Sequence, residues 1–301
     1  MILFFVLLGI LAGAFFPIQA TINSKLGQAA KNPVIASFVA FSVGSLVLLI
    51  CLVLFDMSSL FSLDVTTRTY LFFAGPIAGV IFNLSNIVLF SKIGATVTTM
   101  MTITGQMVMG IIIDHFGLFN LTVQKVSLSR LLGVLMMFLA IWLFQQAKGI
   151  EKTKFSVKWL LLGLIIGILP PLQSAFNGQL KEMTQSILLS VFISFFVGAV
   201  ILALILLITK RKIVIPKVDL QGKKLPLWVY LGGLFGIFIV GGNIIVIKEL
   251  GSVVTTIVFI LGQLLTAVLI DHLGLFGITR RKIKKSQVFA LVLICIALLL
   301  V

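Results

Sequence analysis

Acidic residues are scarce in this chain. Eight Asp and Glu stand against 23 Lys and Arg in 301 residues, and charged residues of either sign make up only 10%. A soluble domain of this size keeps a much more highly charged surface in water, so a soluble fold is excluded. The three glutamates, Glu151, Glu182 and Glu249, all fall at loops or at the ends of apolar runs, so none occupies the middle of one. There are two cysteines, Cys51 and Cys295, and both lie inside apolar runs. They read as small core residues, and no spacing of Cys, His and Glu suits a disulfide or a metal. The chain also lacks a nucleophile–base pair and a phosphate-binding loop, which argues against an enzyme and against a bound cofactor.

What the chain has is hydrophobic sequence, 60% of it. A helix of about 20 apolar residues crosses the ~30 Å hydrocarbon core. A membrane barrel needs polarity that alternates every second residue; these runs are apolar on all sides, so helices are expected. The spans fall at roughly 2–22, 34–55, 69–90, 95–113 and 129–147, then 158–177, 187–209, 227–247, 252–270 and 286–301. The first run lacks a basic leader and recurs in mid-chain, so it reads as a retained helix and not a signal peptide. The net charge of +15 suggests nucleic acid at first sight. The basic residues, however, sit at span ends with no interleaved aromatics, where lipid headgroups are their natural partner.

An internal repeat organises the chain. Gly9, Gly13, Pro17, Gln19 and Asn23 match Gly163, Gly167, Pro171, Gln173 and Asn177 at a constant offset of 154. Val43-Gly44 matches Val197-Gly198 at the same offset. Beyond the second span the offset becomes 157, pairing Gly75, Gly79, Asn86, Gly94, Thr98, Thr99, Gly105 and Gln106 with Gly232, Gly236, Asn243, Gly251, Thr255, Thr256, Gly262 and Gln263. Asp114-His115-Phe116-Gly117-Leu118-Phe119 matches Asp271-His272-Leu273-Gly274-Leu275-Phe276. The expected organisation is a first five-helix repeat at 1–147, a linker at 148–157 and a second five-helix repeat at 158–301. Five is odd, so two halves of one fold enter the bilayer from opposite faces. The expected fold is all-α, with ten transmembrane helices as two inverted repeats.

Basic residues set the orientation. Loops after the odd-numbered spans carry 18 of them, against Arg68, Lys125, Arg130, Lys181 and Lys248 on the other side. The positive-inside rule places the rich side in the cytoplasm. Both termini then lie outside, the 148–157 linker is cytoplasmic, and the chain is a multi-pass protein of the plasma (inner) membrane. The bias comes from the linker and the second half.

The run Gly13 to Leu26, with Pro17, Gln19 and Asn23, resembles the start of YdcZ-type membrane proteins. Gly105-Gln106 followed by Asp114-His115-Phe116-Gly117-Leu118 resembles their fourth helix and its exit. The resemblance covers nearly the whole chain, once in each half, like the fused form of this branch of the drug/metabolite transporter superfamily. It implies inverted repeats and a transport role, and no particular substrate. The second half departs from the pattern, with Gln179-Leu180-Lys181-Glu182 where the first has Lys25-Leu26-Gly27, and Phe259 and Leu261 where the first has Thr102 and Thr104. Any central site is therefore expected to be asymmetric.

Polar residues inside apolar spans are the candidate pathway. Gln19 and Asn23 share one face of the first helix, as Gln173 and Asn177 do in the sixth. Pro17 and Pro171 permit a kink beside each pair; the alternative is that these amides end the helix and cap it. Thr98, Thr102 and Gln106 fall at i, i+4, i+8 on the fourth helix, and Thr255 and Gln263 hold the equivalent face on the ninth. An amide orients a polar solute without fixed charge, or bonds helix to helix. Asn86 and Asn243 read mainly as such glue, with Asn83 beside the former. The glycine pairs at i, i+4 let helices approach closely. Asp114-His115 and Asp271-His272 are either proton-coupling groups or polar helix exits.

The leading function is a secondary transporter or facilitator of small polar or amphiphilic organic metabolites, working by alternating access. The lack of a central carboxylate disfavours proton-coupled export of organic cations. A flippase of a lipid or lipid-linked carrier is the alternative, and a non-transporting membrane scaffold the third reading. The expected partners are a small-molecule substrate and the bilayer, with no nucleic acid. A monomer carries both halves, and a homodimer is compatible.

Overall fold

The computed structural model describes residues 1–61, 68–148, 157–209, 214–277, 280 and 283–300. The 148–157 linker thus lies almost wholly outside the described residues. The helices are α1 (Ile2–Ala30), α2 (Pro33–Phe55), α3 (Met57–Phe61), α4 (Leu71–Phe116), α5 (Leu128–Lys148), α6 (Val157–Gly167), α7 (Leu169–Thr184), α8 (Ile187–Ile208), α9 (Gly232–Leu273) and α10 (Lys285–Leu300). Among the described residues the only β pairing is an isolated bridge between Val218 and Lys224.

The helices are apolar outside as well as inside. Leu46, Ile50 and Leu54 of α2, Leu131, Leu135 and Leu139 of α5, and Phe289 and Val292 of α10 are all exposed. In water such surfaces would aggregate; in a bilayer they meet acyl chains. Ile2–Ala30, Pro33–Phe55, Val157–Thr184, Ile187–Ile208 and Gly232–Ile270 are long and apolar enough to cross a membrane.

Proline chemistry separates α6 from α7 but leaves α1 whole. Pro17 lies inside α1, where a single missing donor is tolerated and Thr21 Oγ1 donates to the Pro17 carbonyl at 2.8 Å. The second half has two consecutive prolines, Pro170 and Pro171, and the helix breaks at Ile168. Two missing donors in one turn leave too few bonds to carry the helix through.

α4 and α9 double back on themselves. A Cβ built on Gly163 would lie 2.8 Å from Met101 Cβ and 3.7 Å from Leu89 Cδ1, so these two atoms are within about 6.5 Å of each other. Twelve residues of straight helix would separate them by about 18 Å. The chain therefore reverses between Leu89 and Met101. Gly9 gives the same result in the other half, with Val246 Cγ1 and Val258 Cβ each 3.4 Å from its built Cβ. Val246 and Val258 are the repeat counterparts of Leu89 and Met101, each 157 residues on. In α9 the break is at Gly251, with φ 77° and ψ 174°. That backbone region is essentially open to glycine alone. The second arm of α9, starting at Ser252, rises about 33 Å, and so matches the hydrocarbon thickness.

The sequence repeats are not the packing units. One compact unit is Met1–Ala14, Ser85–Leu172 and Ile245–Val301; the other is Phe15–Leu84 and Gln173–Ile244. Each collects equivalent pieces of both halves. In the first unit, Gly13 packs on the Phe259 backbone, with Phe259 Cα 2.7 Å from its built Cβ, and Gly167 packs on Thr102, with the carbonyl carbon at 2.9 Å. Gly262 meets Ala14 N at 2.8 Å, and Gly105 meets Gly167 Cα at 2.8 Å. Thr102 and Phe259 are repeat counterparts, so these contacts are reciprocal. Lipid tails are as apolar as Leu, so helix association depends on such close packing more than on burial from water. A core of Met107, Met137, Phe144, Ile257, Ile260 and Ile294 fills the same unit between α4, α5, α9 and α10.

In the second unit α2 and α8 lie together. Gly44 faces Phe195 and Gly198 faces Phe41, the two rings 5.2 Å apart. Ser186 N-caps α8, its hydroxyl accepting from Leu189 N at 3.0 Å, while that hydroxyl donates to Asp56 Oδ2 at the end of α2. The Ser186 hydroxyl, and then that of Ser59, hold the Asp56 carboxyl below its usual range.

Candidate functional site

Two families of polar side chains emerge, one in each unit. In the second unit, the amides and the glycines that looked separate in sequence belong together. A Cβ on Gly236 would meet Gln19 Nε2 at 2.6 Å, and one on Gly232 would meet Asn23 Cγ at 3.1 Å. Reciprocally, Gly79 faces Gln173, its built Cβ 2.9 Å from Cδ, and Gly75 faces Asn177, 3.1 Å from Cγ. Each amide pair at i, i+4 thus lies across a glycine pair at i, i+4 of the other half. The glycines are needed because any side chain there would displace an amide. The reading that these amides end their helices does not hold, since α1 runs on to Ala30 and α7 to Thr184.

The reciprocity is incomplete. Asn177 is fully buried; its Nδ2 donates to Ser194 Oγ at 3.2 Å, and Ser190 Oγ donates to its carbonyl at 2.7 Å. Its Oδ1 has no hydrogen bond among the described residues and rests against Gly75. The first half has Ala36 and Ala40 where the second has Ser190 and Ser194. Asn23 is half-buried and makes no hydrogen bond among the described residues. The asymmetry expected from Thr102 and Thr104 therefore extends to these serines, which the sequence reading did not single out. The 154 offset was the available signal.

In the first unit, Gln106 of α4 and Gln263 of α9 are half-buried. Neither makes a hydrogen bond among the described residues. Thr98 and Thr102 are buried beside Gln106 on α4. Thr255 is buried too, its hydroxyl donating to the Gly251 carbonyl at 2.5 Å. Asn86 is half-buried there and without a hydrogen bond among the described residues; in the second unit Asn243 is the same, whereas Asn83 Oδ1 is reached by Ser37 Oγ at 3.5 Å.

Asp114 makes the densest polar cluster. It is fully buried in the last turn of α4. Its Oδ1 accepts from Ser252 N at 2.6 Å and its Oδ2 from Val253 N at 3.0 Å. Those are the first free N–H groups after the break at Gly251, so a carboxylate from the first repeat caps a helix of the second. Arg130 Nη2 donates to Oδ2 in a buried ion pair. Arg130 Nη1 donates to the Gln124 carbonyl at 2.9 Å, and Gln124 Nε2 to the Leu250 carbonyl at 3.4 Å. Sequence reasoning missed Arg130, which it took only as a topology-setting charge, and Gln124. At the 157 offset Arg130 corresponds to Gln287, which is turned to its own helix start and accepts from Lys284 N at 3.0 Å. The position equivalent to Arg130 thus carries no cation in the second half.

His115 is not part of the cap. Its Nδ1 accepts from Val126 N at 3.3 Å, and its ring lies edge-on to Phe116. His272 is exposed, and the Asp271 side chain lies outside the described residues.

Doubled-back apolar helices, glycine-mediated packing and partly buried amides define a helical membrane protein, and the comparisons place it among transporters. The model of a family described as "Putative inner membrane exporter, YdcZ" matches residues 4–143 and, a second time, residues 158–300. The chain belongs to this family, which is one of membrane exporters and not of enzymes. A solved crystal structure, described only as that of a protein, is similar in fold with a TM-score of 0.72. The match covers 99% of this chain and 94% of the other at 11% identity, so it speaks for the fold alone. No curated protein matches the sequence.

Proposed function

We propose that the chain is a secondary transporter or facilitator of small polar or amphiphilic organic metabolites. In this reading it spans the inner membrane ten times as two inverted five-helix repeats and works by alternating access. The single observation that carries the proposal is the pair Gln106 and Gln263, half-buried on the apolar arms of α4 and α9 with no hydrogen bond among the described residues. An amide left unpaired in hydrocarbon costs several kcal/mol. Two such groups at repeat-equivalent positions are best accounted for by water or solute that reaches them. Reciprocal contacts such as Gly13–Phe259 against Gly167–Thr102 support halves related by a two-fold exchange, which an odd number of spans makes an inversion. The basic residues favour both termini outside.

The reading assigns Gln106 and Gln263 to the pathway, with Thr98 and Thr102 beside the first. It assigns Asp114 to structure, since the geometry surrounds it with fixed partners. Asn177 is held in place through Nδ2 and its backbone carbonyl, on Ser194 and Ser190, while its Oδ1 stays without a hydrogen bond among the described residues. An interior lined by amides without a central carboxylate suits a neutral or zwitterionic solute.

The test is labelling of Gln106→Cys and Gln263→Cys, each in a chain without Cys51 and Cys295, with a membrane-impermeant maleimide. Both sites should react from water, and from opposite sides in different states. If both stay unreactive under every condition, the central pathway is wrong. Headgroup scrambling without solute flux in the same proteoliposomes would transfer the case to a flippase.

A further inference from the structure

The loop between α8 and α9 is a built element. Asp219 N donates to the Lys223 carbonyl at 2.8 Å and Leu225 N to the Lys217 carbonyl at 2.9 Å, forming a short hairpin. Gly222 closes the turn with φ +79°, its N–H donating to the Asp219 carbonyl at 3.1 Å. The Asp219 carboxylate is turned inward, accepting from Gln221 N and Lys223 N at 2.9 Å each. The hairpin is also tied to the helix that follows. Tyr230 Oη donates to the Pro216 carbonyl at 2.6 Å, and Trp228 and Tyr230 pack with Val229 against the ends of α1, α2 and α8. Lys25 Nζ sits 5.0 Å over the Trp228 ring. Tryptophan and tyrosine at a helix end mark the membrane interface.

From this frame Lys217, Lys223 and Lys224 are exposed, along with Leu220 at 62% and Leu227 at 83%. The one acid of the hairpin is engaged by its own backbone, so the outward charge is positive. The basic character continues in sequence through Lys210, Arg211 and Lys212. Apolar tips at interfacial height, flanked by ammonium groups, match a bilayer surface with phosphate at the headgroups and hydrocarbon beneath.

We infer that the Lys217–Leu225 hairpin docks on anionic lipid headgroups of the membrane the protein spans, with Leu220 and Leu227 entering the headgroup layer. The inference needs a membrane protein and does not depend on what is transported. Each lysine near an anionic surface raises occupancy roughly fivefold, and salt weakens the effect.

The experiment is amide hydrogen exchange of the full chain in phosphatidylcholine vesicles, with and without phosphatidylglycerol. Exchange over residues 214–226 should slow about fivefold or more with phosphatidylglycerol. The slowing should vanish in the K217Q/K223Q/K224Q variant and at high salt, while exchange in α2 and α8 stays unchanged and reports an intact fold. Equal exchange in the two lipids would overturn the inference, as would slowing that survives the triple variant. If a short oligonucleotide added to phosphatidylcholine vesicles slows the hairpin as much as the anionic lipid does, the partner is a soluble polyanion and the lipid assignment is wrong.

Discussion

Neutralising the Asp114 cap should destabilise the protein about as much as truncating a large buried apolar side chain, which costs about 2–5 kcal/mol. Asp114→Asn keeps the shape but leaves Arg130, which is 5% exposed, as an uncompensated buried cation. Breaking one partner of a buried ion pair costs about 3–5 kcal/mol. Losing the charge at the Ser252 helix start adds up to about 1 kcal/mol. Arg130→Gln should cost less, roughly 1–3 kcal/mol, because the carboxylate keeps two backbone N–H donors. It also reproduces the Gln287 found at the equivalent place in the second half. The double variant should recover much of the loss, because it removes both charges together. Equilibrium unfolding of purified protein in mixed micelles gives the four stabilities of the cycle. If Asp114→Asn and Arg130→Gln each cost under about 1 kcal/mol and simply add, the pair carries no coupling energy and the cap argument fails.

Three further outcomes follow from local geometry. Gly13→Ala should destabilise by about 1–3 kcal/mol, because its Cβ would meet Phe259 Cα at 2.7 Å, whereas Gly178→Ala, with nothing within 4 Å, should be neutral or add about 0.5–1 kcal/mol of helix stability; both are read in the same unfolding assay. Gly251→Ala should cost about 1–3 kcal/mol for the backbone region alone and should lower any solute flux, since the new Cβ would press on Gln124 Nε2 at 2.7 Å. Ser186→Ala should cost about 1 kcal/mol as a lost N-cap. The Asp56 bond to Ser186 is present at neutral pH and is lost only as pH falls through the depressed Asp56 value, below 3.8, so protection of the Leu189 amide, measured against its intrinsic exchange rate, should be flat from pH 7 to mildly acidic conditions. A loss of protection already at pH 5 would contradict that assignment.

Much of the fold was legible before any coordinates. The helical membrane class follows from 60% hydrophobic residues and 10% charge, because hydrocarbon admits only chains that satisfy their own backbone. The doubling of the family follows from the two constant offsets, and the break at Gly251 in α9 falls in the short gap between two expected spans. The candidate site was legible only in part. Gln19, Asn23, Gln173 and Asn177 stood out as polar residues in apolar helices, but nothing in the linear order says that each pair lies over the glycines of the other half. That contact depends on which helix faces which.

Tertiary structure alone decided the rest. Arg130 looked like a boundary charge because its sequence neighbours place it at a helix start; its partner is 16 residues away and is itself held by backbone N–H groups of a third helix. Asp114 looked equivalent to Asp271 because the hexapeptides match. The Arg130 that distinguishes it lies outside those hexapeptides, at a position where the second half has glutamine. Local patterns determine which segments become helices and which faces are small or polar, since these depend on residues a few positions apart. Whether a buried polar group is paired depends on groups brought together from far along the chain, and only the packed structure brings them within bonding distance.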